Sequence, residues 1–470
     1  MPTAALDALA DPAERALRLA LRAGLEGEVR AERTVERVLA THGGQLTAAT
    51  STEGGGVGVR VLHRGRAGYA STTDPTPAEL SRIVGEAARM AGARTGRRAV
   101  AVARSAAALA APGGDDADLE AKLDLLRRAA RAGQEAGKEV AAVVAGYQER
   151  LGARVVLRTD GARCAWEPRA VTLDVSVVSR AGQGLAKGRA FHGGSFGLEG
   201  FTGEQGPEAL AQRAAQWAAE RRDARRPRAG KQRVLADPLL AGVLAHESFG
   251  HLAEGDLVRS GWSVLRGREG ARLGSTHATI VDTGLPPEGA GGIALPFDDE
   301  ATPSREVTIL DRGRLAGFLH GRTTGATTGN ARAVDYRFAP ICRMRNTFFR
   351  PSDLRLDEAI EQLRDGIYAC GSTGGEARSD GNFVFTAVRA YRVERGRVAE
   401  PLRDVALAGN ILRALRGVEG CTRELVIHAG ANVSCGKWGQ WPLPVGYGGP
   451  HVLLGEVLAG GEGTTWEGAR

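Results

Sequence analysis

The sequence predicts an α+β protein: N-terminal α/β segments followed by a large, mainly antiparallel β domain that carries one short helix with chemistry on it. Three observations predict this class. Helical periodicity and two-residue alternation take turns through the first half. From about Val234 onward the chain reads as short strands and glycine-rich turns, apart from one helix at the start and one near 356–365. No repeat of fixed period runs through it. A chain of 470 residues is long enough for two or three domains. Composition shifts divide it into 1–112, an N-terminal α+β domain, 113–230, a middle α+β segment, and 231–470, a β-rich C-terminal domain.

Each element follows from local pattern. Residues 11–40 mix charges into every turn and read as a charged amphipathic helix. In "GGGVGVRVLHRGRAGYAST", Val57, Val59 and Val61 alternate and Arg64-Gly65 marks a turn, which predicts a hairpin. Thr76-Pro77-Ala78-Glu79 sets a cap, a first-turn proline and an acidic third residue ahead of a helix to about residue 92. Residues 105–117, small and flexible, read as a linker. A helix is expected from about Asp118 to Ala136, then strands near 139–148, 153–159 and 170–179, then a helix in "GPEALAQRAAQWAAERR".

Composition excludes several classes. The charged opening offers no apolar core for a signal peptide, and no segment reaches about 18 uninterrupted apolar residues, so a cytoplasmic protein without membrane contact is expected. The five cysteines are odd in number, scattered and without a CxxC pair, which argues against a disulfide framework. A net charge of +7 is mild for this size. The densest basic run, "ERRDARRPRAGK" at 220–231, lacks the aromatic residues that stack bases, so it reads as a solvated helix end and not a nucleic-acid patch. The glycines fall between strands, so no nucleotide cofactor is expected.

The chemistry lies in "AHESFGHLAEGD", residues 245–256. Asp237-Pro238 begins a helix that should run through both histidines. Five residues turn a regular helix by about 140° past the starting face, so His246 and His251 would diverge. Zinc-binding HExxH helices space their histidines by four for this reason. Two changes restore a common face: the helix ends before His251, or one extra residue makes a π-bulge, and Gly250 tolerates either. Glu247 then sits beside a metal-bound water as general base. Glu254 and Asp256 are candidates to orient the histidines from behind, or else are solvated helix-end acids.

A catalytic zinc takes a third protein ligand and keeps one position open. Outside the helix the candidates are His428, His277, His320, His451 and the cysteines Cys164, Cys342, Cys370, Cys421 and Cys435. Cys435 stands out because "SCGKWGQWPLPVGYGGP" sets it among small residues, with Lys437 placed to favour its thiolate. A buried, inert cysteine is the alternative.

These motifs resemble a known family. "HESFGHLAEGD" is similar to the HExxxH signature of the TldD/PmbA family of zinc metallopeptidases, in its TldD branch, and "SCGKWGQWPLPVGYGGP" to its cysteine motif. "FDDEATPSREVTILDRGRLAGFLHGRTTG", "CRMRNTFF" and the stretch from "GIYACGSTGG" to "VALAGN" fall between them in the family's order, and "GVGVRVLHRGRAGYASTTD" resembles its N-terminal part. The resemblance implies Zn2+ held by His246, His251 and Cys435, with Glu247 catalytic. It also implies a homodimer, or a heterodimer with a PmbA/TldE-like subunit, enclosing a peptide-accepting cavity. The PmbA (TldE) branch lacks the histidine motif, so this chain resembles the active subunit.

Two departures stand out. Cys370 replaces an ordinary residue, and Trp438 and Trp441 flank the cysteine motif, where they line a substrate pocket or, as the preferred expectation, pack into the core. The expected function is zinc-dependent hydrolysis of unfolded or small peptides. The alternatives are an amide- or peptide-processing hydrolase for a modified peptide, and a metal-stabilised binding or regulatory module without hydrolysis.

Overall fold

The structure, a computed structural model, describes residues 4–94, 108–109, 118–181, 184–372 and 375–461. Its N-terminal half is built on one eight-stranded sheet. The spine is a pair of long antiparallel strands, Glu26–His42 and Val140–Arg158, in register from Glu28 with Arg158 to His42 with Val144. Strands from either side of residue 112 therefore share a single sheet. Gln45–His63 and Arg66–Thr72 extend it on one side, Arg169–Ala181 and Gly184–Gly194 on the other. Helices Ala4–Arg22 and Pro77–Ala91 bury one apolar cluster against this sheet, and Leu119–Glu135 and Pro207–Asp223 a second.

The C-terminal half holds a nine-stranded and a six-stranded sheet around the largest core. The helix Pro238–Val243 packs between them, against Gln440–Gly449 of one and Gly366–Cys370 of the other. The six-stranded sheet ends in the hairpin Val426–Lys437 and Gln440–Gly449. Its outer strand touches Arg169–Ala181 and Gly184–Gly194, so the two halves meet beside the hairpin.

That junction also buries charge. Arg60 pairs with Glu28 and Glu300, Arg322 with Glu28 at 2.8 Å, and Arg154 with Asp299 at 2.7 Å and Glu32 at 3.2 Å. Arg30 donates to the Asp335 and Phe338 carbonyls at 2.6 and 2.9 Å. The Tyr336 amide donates to Glu32 at 2.7 Å.

Three expectations need correction. Residues 11–40 are not one helix: the helix ends at Arg22, Gly24 takes φ of 69°, and a strand follows. Alternation explains the misreading. Val29 and Ala31 face the helices, while Glu28, Arg30 and Glu32 face the other half and pair there, so charge that looked like helix surface is sheet interior. The strands expected at 139–148 and 153–159 are one strand, unbroken at Gly152, where a Cβ would stand 3.0 Å from the Pro168 ring. Short helices at Gly255–Ser260 and Ile411–Arg416 have too few turns to show a period. The linker expected over 105–117 lies outside the described residues, except that Ala108–Leu109 pairs with Cys164–Ala165.

Candidate metal centre

Asp237 caps the helix as its residue type predicts, accepting from the Leu240 amide at 2.8 Å, and Pro238 fills the first position. After Val243 the α-helix widens: Leu244–Gly250 is π-helical, and the His251 amide donates to the His246 carbonyl, five residues back. This is the second of the two ways to bring histidines five apart together. The rings end with centroids 5.3 Å apart and planes at 84°. Gly250 is needed for a different reason than expected. Its backbone is ordinary right-handed helix, but a Cβ there would lie 2.1 Å from the Met344 sulfur.

Cys435 arrives from the hairpin. Trp438 and Gly439 form its two-residue turn, both with positive φ (49° and 78°), as tight hairpins require. The Cys435 Sγ lies 3.1 Å from His251 Nε2, and the donor atoms of His246, His251 and Cys435 all fall within 4.8 Å of one another. His246 is fully buried, and neither ring nitrogen has a hydrogen bond of good geometry. The nearby Glu247 carboxylate stands 3.9 Å from its Nε2 and 3.7 Å from that of His251. Buried polar groups are nearly always bonded, so an orphaned imidazole facing a thiol and a second imidazole fits a metal ligand set. Two nitrogens and one sulfur suit zinc.

The residues behind the cluster fix its charge. Glu254, fully buried, meets His251 Nδ1 at 2.9 Å and Lys437 Nζ at 3.0 Å. Burial opposes its ionisation, but His251 and Lys437 outweigh that and hold it near 2. His251 is itself disfavoured as a cation by burial, yet Glu254 and the Cys435 thiolate raise its pKa well above the usual value. Burial likewise opposes the Cys435 thiolate, and His251 and His246 overcome it, lowering the thiol far below the ordinary range. Lys437 does not favour this thiolate as expected. Its ammonium reaches away, to Glu254, to Asp256 and to the Cys342 carbonyl at 2.9 Å. Asp256 closes the clamp by accepting from the Cys342 amide at 3.1 Å, and burial raises its pKa despite Lys437.

The remaining candidates lie elsewhere. His428 packs on Phe191, and burial lowers its pKa to about 4. His451 meets the Tyr368 hydroxyl at 2.9 Å and His320 the Thr324 hydroxyl at 3.1 Å, while His277 sits at an exposed turn. Burial raises the thiols of Cys164, Cys342, Cys370 and Cys421, to about 11 for Cys342 and about 12 for Cys421. Among the five cysteines Cys435 is the one pulled down. Trp438 and Trp441 do not pack into the core: they are 60% and 69% exposed, because the turn throws the first outward and the second lies over Gly436. Two residues at the centre escaped sequence reasoning. Lys437 was given the wrong partner, and Tyr447, whose ring is 5.6 Å from that of His246, carries no signal beyond an aromatic in a glycine-rich strand.

Comparison with known proteins agrees along most of the chain. Residues 27–91 match domain 1, residues 112–222 the central domain and residues 229–461 the C-terminal domain of the PmbA/TldA metallopeptidases. A metalloprotease of Methanothermobacter thermautotrophicus is 32% identical over 429 residues, covering 89% of this chain and 91% of the relative. The zinc metalloprotease TldD homolog of Saccharolobus solfataricus is 35% identical over 240 residues, 50% of this chain and 53% of the relative. The fold is that of TldE from Thermococcus kodakarensis, with a TM-score of 0.72 at 18% identity, covering 97% of this chain and all of that one. By full-length similarity and by the order of its three segments, the chain belongs to the TldD/PmbA family.

Proposed function

We propose that the protein is a zinc-dependent metallopeptidase that hydrolyses peptide bonds of unfolded or small peptides. The observation that carries this reading is the buried His246, unbonded at both nitrogens, facing His251 and the Cys435 thiol. His246, His251 and Cys435 would hold the metal. The chemistry zinc supplies there when bound is Lewis acidity and a water whose pKa falls toward neutrality. Glu247, with its side chain 40% exposed and both imidazoles within 4 Å, takes the proton of the attacking water and returns it to the leaving amine. Glu254 holds the ring of His251 through Nδ1, and Lys437 balances the charge of Glu254 and Asp256 so that neither competes for the metal.

The family resemblance supports a dimer, of this chain with itself or with a PmbA/TldE-like subunit. Among the described residues no helix is long and apolar enough to cross a membrane. A second reading, a hydrolase dedicated to one small modified peptide, is favoured by Trp438 and Trp441, which stand exposed just beyond Cys435 where apolar substrate groups would stack.

The test is zinc content and degradation of an unstructured peptide, measured on wild type, Cys435→Ala and Glu247→Ala. About one zinc per chain, lost in Cys435→Ala and kept in an inactive Glu247→Ala, is the expected result. Activity that survives Glu247→Ala removes Glu247 as the base, and a wild type that holds zinc but degrades no peptide leaves a metal-stabilised binding module.

A further inference from the structure

Tyr447 stands at the metal centre with no part in the scheme above. Its strand places it opposite His428, and its ring leans on His246 at 54°. It is half-buried and packs with Phe191 on the cluster of Val433, Cys435 and Val445. Buried tyrosines normally hand their hydroxyl to a partner, as Tyr69, Tyr147, Tyr368 and Tyr391 do here, whereas the hydroxyls of Tyr336 and Tyr447 have no hydrogen bond among the described residues. That of Tyr447 lies within electrostatic reach of both Glu247 and Cys435. Other donors near the cluster are committed or shut away. Lys437 is taken by Glu254, Asp256 and a carbonyl, and Arg343 and Ser248 are buried.

We propose that Tyr447 donates a hydrogen bond to the substrate carbonyl oxygen, and to the oxyanion that oxygen becomes, during the hydrolysis assigned to this site. As water oxygen bonds to the carbonyl carbon, its proton passes to Glu247 and the carbonyl π pair moves onto oxygen. Tyr447 keeps its proton and only shares it. When the carbonyl re-forms, the C–N bond breaks, and the proton on Glu247 goes to the amine. An oxyanion donor acts most where charge develops, so its loss should appear in kcat more than in KM.

The inference rests on the hydrolase reading, and two measurements keep their failures apart. The zinc-loaded wild type and Tyr447→Phe are compared for turnover of an unstructured fluorogenic peptide. They are also titrated with acetohydroxamate, whose carbonyl oxygen takes the same place without any reaction. The phenyl ring preserves the packing on His246, so zinc content should not change. The expected result is a fall in kcat of about 10²-fold with KM little altered. Acetohydroxamate binding should weaken roughly 5-fold. Equal kcat and equal hydroxamate affinity in the two proteins would overturn the assignment. Should wild type fail to cleave the peptide, the hydrolase reading falls, and the titration alone decides: weakened binding sustains the Tyr447 donor, and unchanged binding removes it.

Discussion

Two regions of this molecule bury charge, and they do it in opposite ways. At the junction of the halves, Arg60, Arg154, Arg30 and Arg322 each meet carboxylates or carbonyls, and the charges answer one another. At the metal centre, Glu254 and Lys437 are paired behind His251, but His246 in front has no hydrogen-bond partner. A buried ion pair contributes little net stability, yet breaking one is costly because it leaves a lone charge behind. An unbonded buried imidazole, by contrast, is already a cost that the fold carries. The first pattern belongs to architecture and the second to a candidate metal ligand set.

Single substitutions should separate the two patterns. The largest effect on activity is expected from His246→Leu, which removes a ligand and an unbonded polar group together. Zinc and turnover should be lost while the melting temperature of the metal-free protein holds or rises, and a marked fall would mean that His246 is structural. Arg60→Met should do the reverse. It leaves Glu28 and Glu300 buried side by side and should cost about 3–5 kcal/mol in denaturant unfolding, with zinc still bound stoichiometrically.

Smaller is Glu254→Gln, expected to weaken zinc affinity about 10–100-fold in a competitive chelator titration. The same variant sharpens the acid response. The carboxyl of Glu254 is depressed in the folded state, so its contribution is full above the unfolded value of about 4.3 and is lost as pH falls through about 2. Metal-free wild type should therefore lose stability over that window more steeply than Glu254→Gln, and parallel curves would contradict the pairing with His251 and Lys437. The smallest effect is spectroscopic. At neutral pH the metal-free protein should show the ultraviolet absorbance of one thiolate, absent in Cys435→Ser, since burial keeps the other four thiols protonated.

The same contrast explains what the sequence could reveal. Histidine spacing and a flanking glutamate are local signals, and they singled out His246, Glu247 and His251; Cys435 among small residues was one candidate of several until the family resemblance favoured it, and the structure brings its Sγ beside the two imidazoles. The Thr76-Pro77 start and the Arg64-Gly65 turn were equally local and marked their elements, although the Thr76 side chain makes no capping bond. The failures involve partners distant in the chain. Glu28, Arg30 and Glu32 looked like solvated surface because their counter-charges sit on other segments: Arg60 and Arg322 for Glu28, Asp299 for Arg30, and Arg154 for Glu32. Lys437 was assigned to its neighbour Cys435 when its true partners come from the turn after the π-helix. Trp438 and Trp441 looked like core because size and apolarity were visible, whereas the reversed backbone at the hairpin tip was not.

The pairing of Arg60 with Glu300, 240 residues apart, has a consequence for how this chain can diverge. Neither residue can drift alone, since each intermediate would strand a charge in the interior. Relatives should therefore change positions 28, 60, 300 and 322 together or not at all. The N-terminal half would then be inherited as a fitted companion of the half with the candidate metal centre, and swapping halves between distant relatives should give misfolded chains even when His246, His251 and Cys435 are retained.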